Sequence, residues 1–208
     1  MTSKEKQKPV KKISTINKAI EDTAEKINKE LFGGTIAPYV LTIQTQGRKK
    51  GTMGWAYTGN NWSAKKGSGY QELNICAEYL MDAFQVYDIL VHELVHIWNS
   101  QNNINDCSSN QYHNLKFKAK AEEVGLEVTK GQRGWAYTKV AKGGVADKLY
   151  KKLKLKKDTF SIARDITGGK KKAPTKMKKW TCGCTNVRCA VELVAVCGEC
   201  GNQFQRVA

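Results

Sequence analysis

Residues 82–100 read DAFQVYDILVHELVHIWNS. Phe84, Tyr87, Val91, Leu94, Val95 and Trp98 recur at steps of three and four, so this stretch predicts an amphipathic helix. Within it stands His92-Glu93-Leu94-Val95-His96. Residues four apart on a helix share one face, so both imidazoles can reach a single metal ion at about 2.0–2.1 Å. Glu93 lies about 100° round the helix from His92, close enough to reach a metal-bound water without becoming a ligand. An open zinc site needs a third protein ligand. The chain has three histidines, and the third is His113. It falls at the expected start of a helix over residues 113–124, after a loop that returns the chain. Asp106 and Asp88 are weaker alternatives as ligands, and Asp88 is also a candidate partner for a histidine.

This constellation predicts a zinc-dependent endopeptidase. Glu93 activates the zinc-bound water, accepts its proton and later passes it to the leaving amine. Tyr112 is a candidate to stabilise the oxyanion or to be a buried structural side chain. The expected strand over residues 70–76 is a candidate edge for an extended substrate.

The flanking pattern is α+β. Ile16, Ile20, Ala24, Ile27 and Leu31 mark a first helix, capped by Ser14 or Thr15 and stopped at Gly33-Gly34. Residues 39–46 alternate as a strand, 49–51 suit a turn, and 52–58 can return as a second strand. A polar loop is expected over 59–69. A basic amphipathic helix is expected over 144–157. The pentapeptide GWAYT occurs at 54–58 and again at 134–138. Five residues are too few for a structural repeat, and both copies read as strand segments with a buried Trp.

Charge is lopsided. The net charge is +16; residues 127–208 carry 19 Lys/Arg against 6 Asp/Glu, whereas residues 13–126 carry 11 against 12. Such a basic portion is an electrostatic footprint for a polyanion, with DNA as the expected partner. No apolar run of membrane-spanning length exists, and the charged N-terminus MTSKEKQKPVKK lacks the apolar stretch of a secretory signal. The expected location is therefore the cytoplasm, where seven cysteines serve as thiols or metal ligands. Cys182, Cys184, Cys197 and Cys200 form two short-spaced pairs, the pattern of a structural zinc ribbon, with strands expected within Val187–Val196. Cys189 is a spare, and Cys76 and Cys107 read as ordinary thiols. Lys170, Lys171, Lys172, Lys176, Lys178, Lys179 and Arg188, with Arg206, are candidate nucleic-acid contacts. Trp180 and Phe204 are candidates to stack on bases or to pack against the ribbon.

HELVH at 92–96, the isolated histidine of QYHNLKFKAKAEEVGL at 111–126 and the C-x-C…C-x-x-C ribbon at 182–200 together resemble the SprT-like metallopeptidase family, in its phage and bacterial style. Asn114 stands where many members have Gly. The resemblance implies a zincin-like fold: an N-terminal helix, a small sheet, the HExxH helix and a further helix, with a C-terminal zinc ribbon. It also implies two zinc ions, one catalytic and one structural, and a relation to Spartan-type proteases that degrade proteins crosslinked to DNA. For a phage-encoded chain the location is the host cytoplasm. The expected organisation is a disordered basic tail over 1–12, a peptidase domain over 13–126, a basic extension and linker over 127–179 and a ribbon over 180–208. The competing expectation is a non-proteolytic nucleic-acid-binding or regulatory protein that keeps a zincin scaffold.

Overall fold

The computed structural model describes residues 12–47, 51–63, 65, 67, 69–132, 134–165 and 177–207. Among them stand four α-helices and three small sheets, an α+β architecture. No described helix is long and apolar enough to cross a membrane. The chain divides into two units, Met1–Asp165 and Ile166–Ala208.

In the first unit, α1 (Ile13–Leu31) buries Ile16, Ile20, Ala24 and Ile27 on one face. Each buried isoleucine contributes about 1.5–3 kcal/mol. The helix starts before Ser14 and Thr15, so neither caps it; Lys12 holds that place without a side-chain bond. At the other end the N–H groups of Phe32 and Gly34 both donate to Asn28 O, at 3.0 and 2.9 Å. Gly33 and Gly34 take φ of +64° and +72°, the left-handed turn that ends the helix.

Strands β1 (Val40–Gln44), β2 (Gly54–Trp62) and β3 (Tyr70–Cys76) form a sheet in the order β1-β3-β2. β3 pairs in parallel with β1 and antiparallel with β2, so it is the central strand and has no free edge. The expectation of a substrate edge at residues 70–76 is thereby corrected. β2 also runs on to Trp62, taking up the first part of the expected polar loop. One reason is a buried carboxylate on β3: Glu72 accepts bonds from Asn61 Nδ2 and Trp62 Nε1, each at 3.0 Å, and from Thr42 and Gln44 of β1. The three strands are thus tied together at one residue.

α2 (Ala83–Gln101) crosses behind the sheet. Asp82 caps it, accepting from Gln85 N at 2.7 Å. α3 (Leu115–Glu123) is capped by Asn114, whose Oδ1 accepts from the N–H groups of Lys116 and Phe117. Asn114 has ordinary extended backbone (φ −104°), so no glycine is required there. His113 consequently precedes the helix and lies in a short β-bridge with Cys107.

The chain then forms a hairpin, β4 (Leu126–Gly131) with β5 (Gly134–Val140), followed by α4 (Val145–Leu153). Leu126, Val128, Val140, Ala146, Leu149 and Phe160 are buried in the same core as α1 and α2. Tyr87 Oη donates to Ala146 O at 2.8 Å, and Asp88 Oδ1 accepts from Val140 N at 2.7 Å. The expected boundary at residue 126 is therefore corrected: residues 127–165 belong to the first unit. The helix expected over 144–157 stops at Leu153, where Lys154 turns left-handed at φ +47°.

In the second unit, β6 (Lys178–Thr181), β7 (Asn186–Cys189) and β8 (Gln205–Arg206) form a sheet in the order β7-β6-β8 around the buried Trp180. The strand expected through Val196 stops at Cys189, leaving Val191, Val194 and Val196 exposed. Residues 1–11 of the expected N-terminal tail and residues 166–176 of the expected extension and linker, with Lys170, Lys171, Lys172 and Lys176, lie outside the described residues.

Candidate metal centres

His92 and His96 stand one turn apart on α2, and the loop after α2 carries His113 back to them. The three present ligand atoms within 4.8 Å of one another. His113 and His96 approach Nε2 to Nε2 at 3.0 Å. The opposite nitrogens are engaged elsewhere. His96 Nδ1 lies 2.8 Å from Asp106 Oδ2, His113 Nδ1 lies 2.9 Å from Trp135 O, and His92 Nδ1 lies 2.7 Å from Thr138 Oγ1. A carbonyl and a carboxylate can only accept, so the Nδ1 atoms of His113 and His96 donate. Neutral rings in that tautomer turn two Nε2 lone pairs toward each other, an arrangement that calls for a proton or a cation between them. Two nitrogens held tetrahedrally by zinc at about 2.0–2.1 Å stand about 3.3 Å apart, close to the spacing here. The donor set fits zinc.

Phe117, fully buried on α3, forms the floor. Its ring stacks on His113 with centroids 3.9 Å apart and lies 4.7 Å from His96 and 5.0 Å from His92. Helical periodicity alone does not reveal that this buried ring packs against the three histidines.

Electrostatics separate the ligands. Burial, then the neighbouring His96 and His113, hold His92 well below the usual imidazole range. Burial and His96 likewise lower His113. Burial also opposes charge on His96, but hydrogen bonds to Asp106 and Cys107, with Glu93 nearby, outweigh it and raise this ring to about 10. Glu93 is only 6% exposed. Burial raises its carboxyl to about 7, against the lowering effects of His96 and of a hydrogen bond from the Ala56 backbone N–H.

The histidines and Glu93 open into a cleft of about 650 Å³. One wall is the edge strand β2, from Gly54 to Thr58; the other includes Asn105, Cys107 and Gln111. Gly54 allows the close approach of strand and helix. A Cβ there would stand 2.7 Å from both Asn74 O and the Ile89 side chain, and 3.3 Å from Glu93 Oε1.

Asp106 accepts from His96 Nδ1 and, at the same carboxylate oxygen, from Asn99 Nδ2 at 3.0 Å; with His96 and Cys107 it also forms a further group of side chains that could hold a metal ion. Asp88 neither supports a histidine nor faces solvent freely; burial raises its pKa and its carboxylate anchors β5. Tyr112 is 37% exposed and does not line the cleft, which corrects both expectations for it. Cys76 is buried, and burial pushes its thiol up to about 11. Cys107 lines the cleft beside His96 and Asp106, so it is less ordinary than its sequence context suggests. Both GWAYT copies are strands, with Trp55 and Trp135 partly rather than fully buried. The first supplies the cleft wall and the N–H to Glu93; the second supplies the partners of His92 and His113.

In the second unit Cys182, Cys184, Cys197 and Cys200 bring their sulfurs within 4.8 Å of one another, a cluster that can hold a metal ion. Sγ separations of 3.2 Å (Cys182–Cys184) and 3.6 Å (Cys184–Cys197) approach the edge of about 3.8 Å of a tetrahedron with Zn–S near 2.3 Å. Backbone N–H groups of Cys200 and Glu199 lower the Cys197 thiol, while hydrogen bonds with the neighbouring thiols raise Cys184. Cys189 stands apart, its thiol donating to Val191 O at 3.0 Å. Of the candidate nucleic-acid contacts, Lys179 and Arg188 are exposed and directly opposite each other on β6 and β7. Lys178 instead pairs with Glu192. Trp180 is buried, which favours packing over base stacking.

No family model, curated protein or solved structure matches this chain.

Proposed function

We propose that this protein is a zinc endopeptidase of the SprT-like kind, with a zincin-like first unit, acting on DNA-associated proteins. The observation that carries the reading is the convergence of three imidazoles, their Nδ1 atoms engaged elsewhere, beside a buried glutamate in a cleft wall. Bound zinc supplies the Lewis acidity that activates water and polarises the scissile carbonyl. Glu93 is suited to take the water's proton and return it to the leaving amine, because burial places its carboxyl near 7. The unpaired edge of β2 runs along the cleft, where an extended peptide can pair with it by main-chain hydrogen bonds.

The four-cysteine unit takes a second, closed zinc, whose four protein ligands leave no position for water. DNA association rests on the basic residues after 126 and on Lys179 facing Arg188. Like charges directly opposite on a sheet are destabilising, and a phosphate between them relieves the repulsion. That pair also favours the second reading, a nucleic-acid-binding protein without proteolysis.

The test is to incubate the zinc-loaded full chain with a basic DNA-binding protein, alone and with single- or double-stranded DNA, beside Glu93→Gln. The proposal expects cleavage by the wild type, more of it with DNA, and cleavage slower by about 10²–10⁴-fold by the variant. DNA binding that falls steeply with salt, with no cleavage under any of these conditions, replaces the peptidase reading by the second one.

A further inference from the structure

The hairpin β4–β5 lies beyond the stretch in which the metal-site motif is found, yet it reaches two of the three histidines. It meets His113 in both directions: His113 Nδ1 donates to Trp135 O at 2.9 Å, and Trp135 N donates to His113 O at 3.3 Å. Gly134 makes this approach feasible. Its φ is +89°, and a Cβ there would stand 2.8 Å from His113 O. Four residues on, Thr138 Oγ1 lies 2.7 Å from His92 Nδ1.

Thr138 is the odd member of its face. It pairs across the hairpin with Val128, and its strand neighbour two residues on is Val140; both are 7% exposed. Leu126, opposite Val140, is buried as well. Packing alone would be met at this position by valine, which has the shape of threonine without the hydroxyl. The hydroxyl's partner is the His92 ring, through Nδ1. His96 has a carboxylate behind it and His113 a carbonyl, so His92 is the ligand whose tautomer depends on a neutral hydroxyl. If Thr138 accepts from Nδ1–H, Nε2 keeps its lone pair for the metal. If Thr138 donates to Nδ1, the proton moves to Nε2 and the ring cannot ligate through it.

We infer that Thr138 is a positioning residue of the metal site: it accepts a hydrogen bond from His92 Nδ1 and so turns Nε2 to the ion. The inference rests on the zinc reading above. It makes the second GWAYT copy part of the site, although it follows His92 by more than forty residues.

The experiment loads the full chain with Co(II), whose thiolate charge-transfer bands report the cysteine cluster and whose ligand-field bands report the histidine site. Zinc is then used to displace the cobalt. Thr138→Val should bind metal at the histidine site about 10–100-fold more weakly, with the cysteine bands unchanged, and Thr138→Ser should restore affinity to within a few-fold. A wild type that binds metal and a Thr138→Val variant that binds it equally well overturn the inference and leave the zinc reading standing. A wild type that fills the cysteine cluster but never the histidines removes the zinc reading, and this inference with it. Should Thr138→Val not fold, long-range ¹H–¹⁵N spectra of the wild type decide. A proton on His92 Nδ1 supports the assignment, and one on Nε2 contradicts it.

Discussion

The histidine cluster and the cysteine cluster are both sets of side chains that could hold a metal ion, but they are held by opposite means. The histidines are fixed by a core. Leu94, Val95 and Ile97 around them on α2 are fully buried, Phe117 stacks beneath them, and each Nδ1 has its own partner. The cysteines have almost no core. Besides Cys182 and Cys197, Trp180 is the buried hydrophobic residue of the described part of their unit, while Val191, Val194 and Val196 face outward. In the first case the core positions the side chains; in the second, the proposed zinc would supply the stability that the small core lacks. On the proposed reading, only the first arrangement can leave a coordination place open without losing its structure, as a peptidase site would need.

The largest effect expected from this contrast is on the cysteine unit. Structural zinc in such small units supplies about 10–16 kcal/mol of folding free energy. Cys197→Ser should therefore unfold β6–β8, with loss of hydrogen-exchange protection at Trp180, while protection on α2 stays at the wild-type level. Persistent protection at Trp180 would break the comparison. Next comes Glu93→Gln, which should lower the cleavage rate by about 10²–10⁴-fold. Metal analysis should still find two ions per chain. A variant that cleaves at the wild-type rate takes Glu93 out of the chemistry. The smallest effect is a pH dependence. The raised pKa of His96, about 10, means the metal-free ring carries an extra proton at neutral pH, whereas His92 and His113 are lowered and stay neutral. Metal must displace that one proton, so affinity at the histidine site should rise with pH, about tenfold per unit between pH 7 and 9. Calorimetry in buffers of different ionisation heat should count about one proton released. A pH-independent affinity would show that His96 is not charged in the metal-free protein.

Much of this was legible from local pattern. β3 occupies the expected residues, Tyr70–Cys76, and is buried from Gln71 onward. α2 and its two histidines follow from a 3.6-residue period. The second GWAYT copy reads as a strand, but its pairing with β4 does not emerge, although Leu126, Val128 and Val140 alternate with polar residues. The hairpin's exposed Lys130 and Lys139 merged with the basic stretch that follows and obscured the period-two signal. The partners of the imidazoles were hidden for a different reason. Asp106, Trp135 and Thr138 meet the histidines only through tertiary approach, which no spacing rule encodes. The repeated GWAYT was the one visible trace. It could not be interpreted until both copies stood beside the same three rings.

The most direct measurement is anomalous diffraction at the zinc absorption edge from crystals of the full chain grown with zinc. The account predicts two peaks. One should lie about 2.0–2.1 Å from an imidazole nitrogen of each of His92, His96 and His113, with a position open to the cleft, and the other about 2.3 Å from four cysteine sulfurs. A peak at the sulfurs alone, from a crystal with its histidines ordered and its zinc in excess, would contradict it.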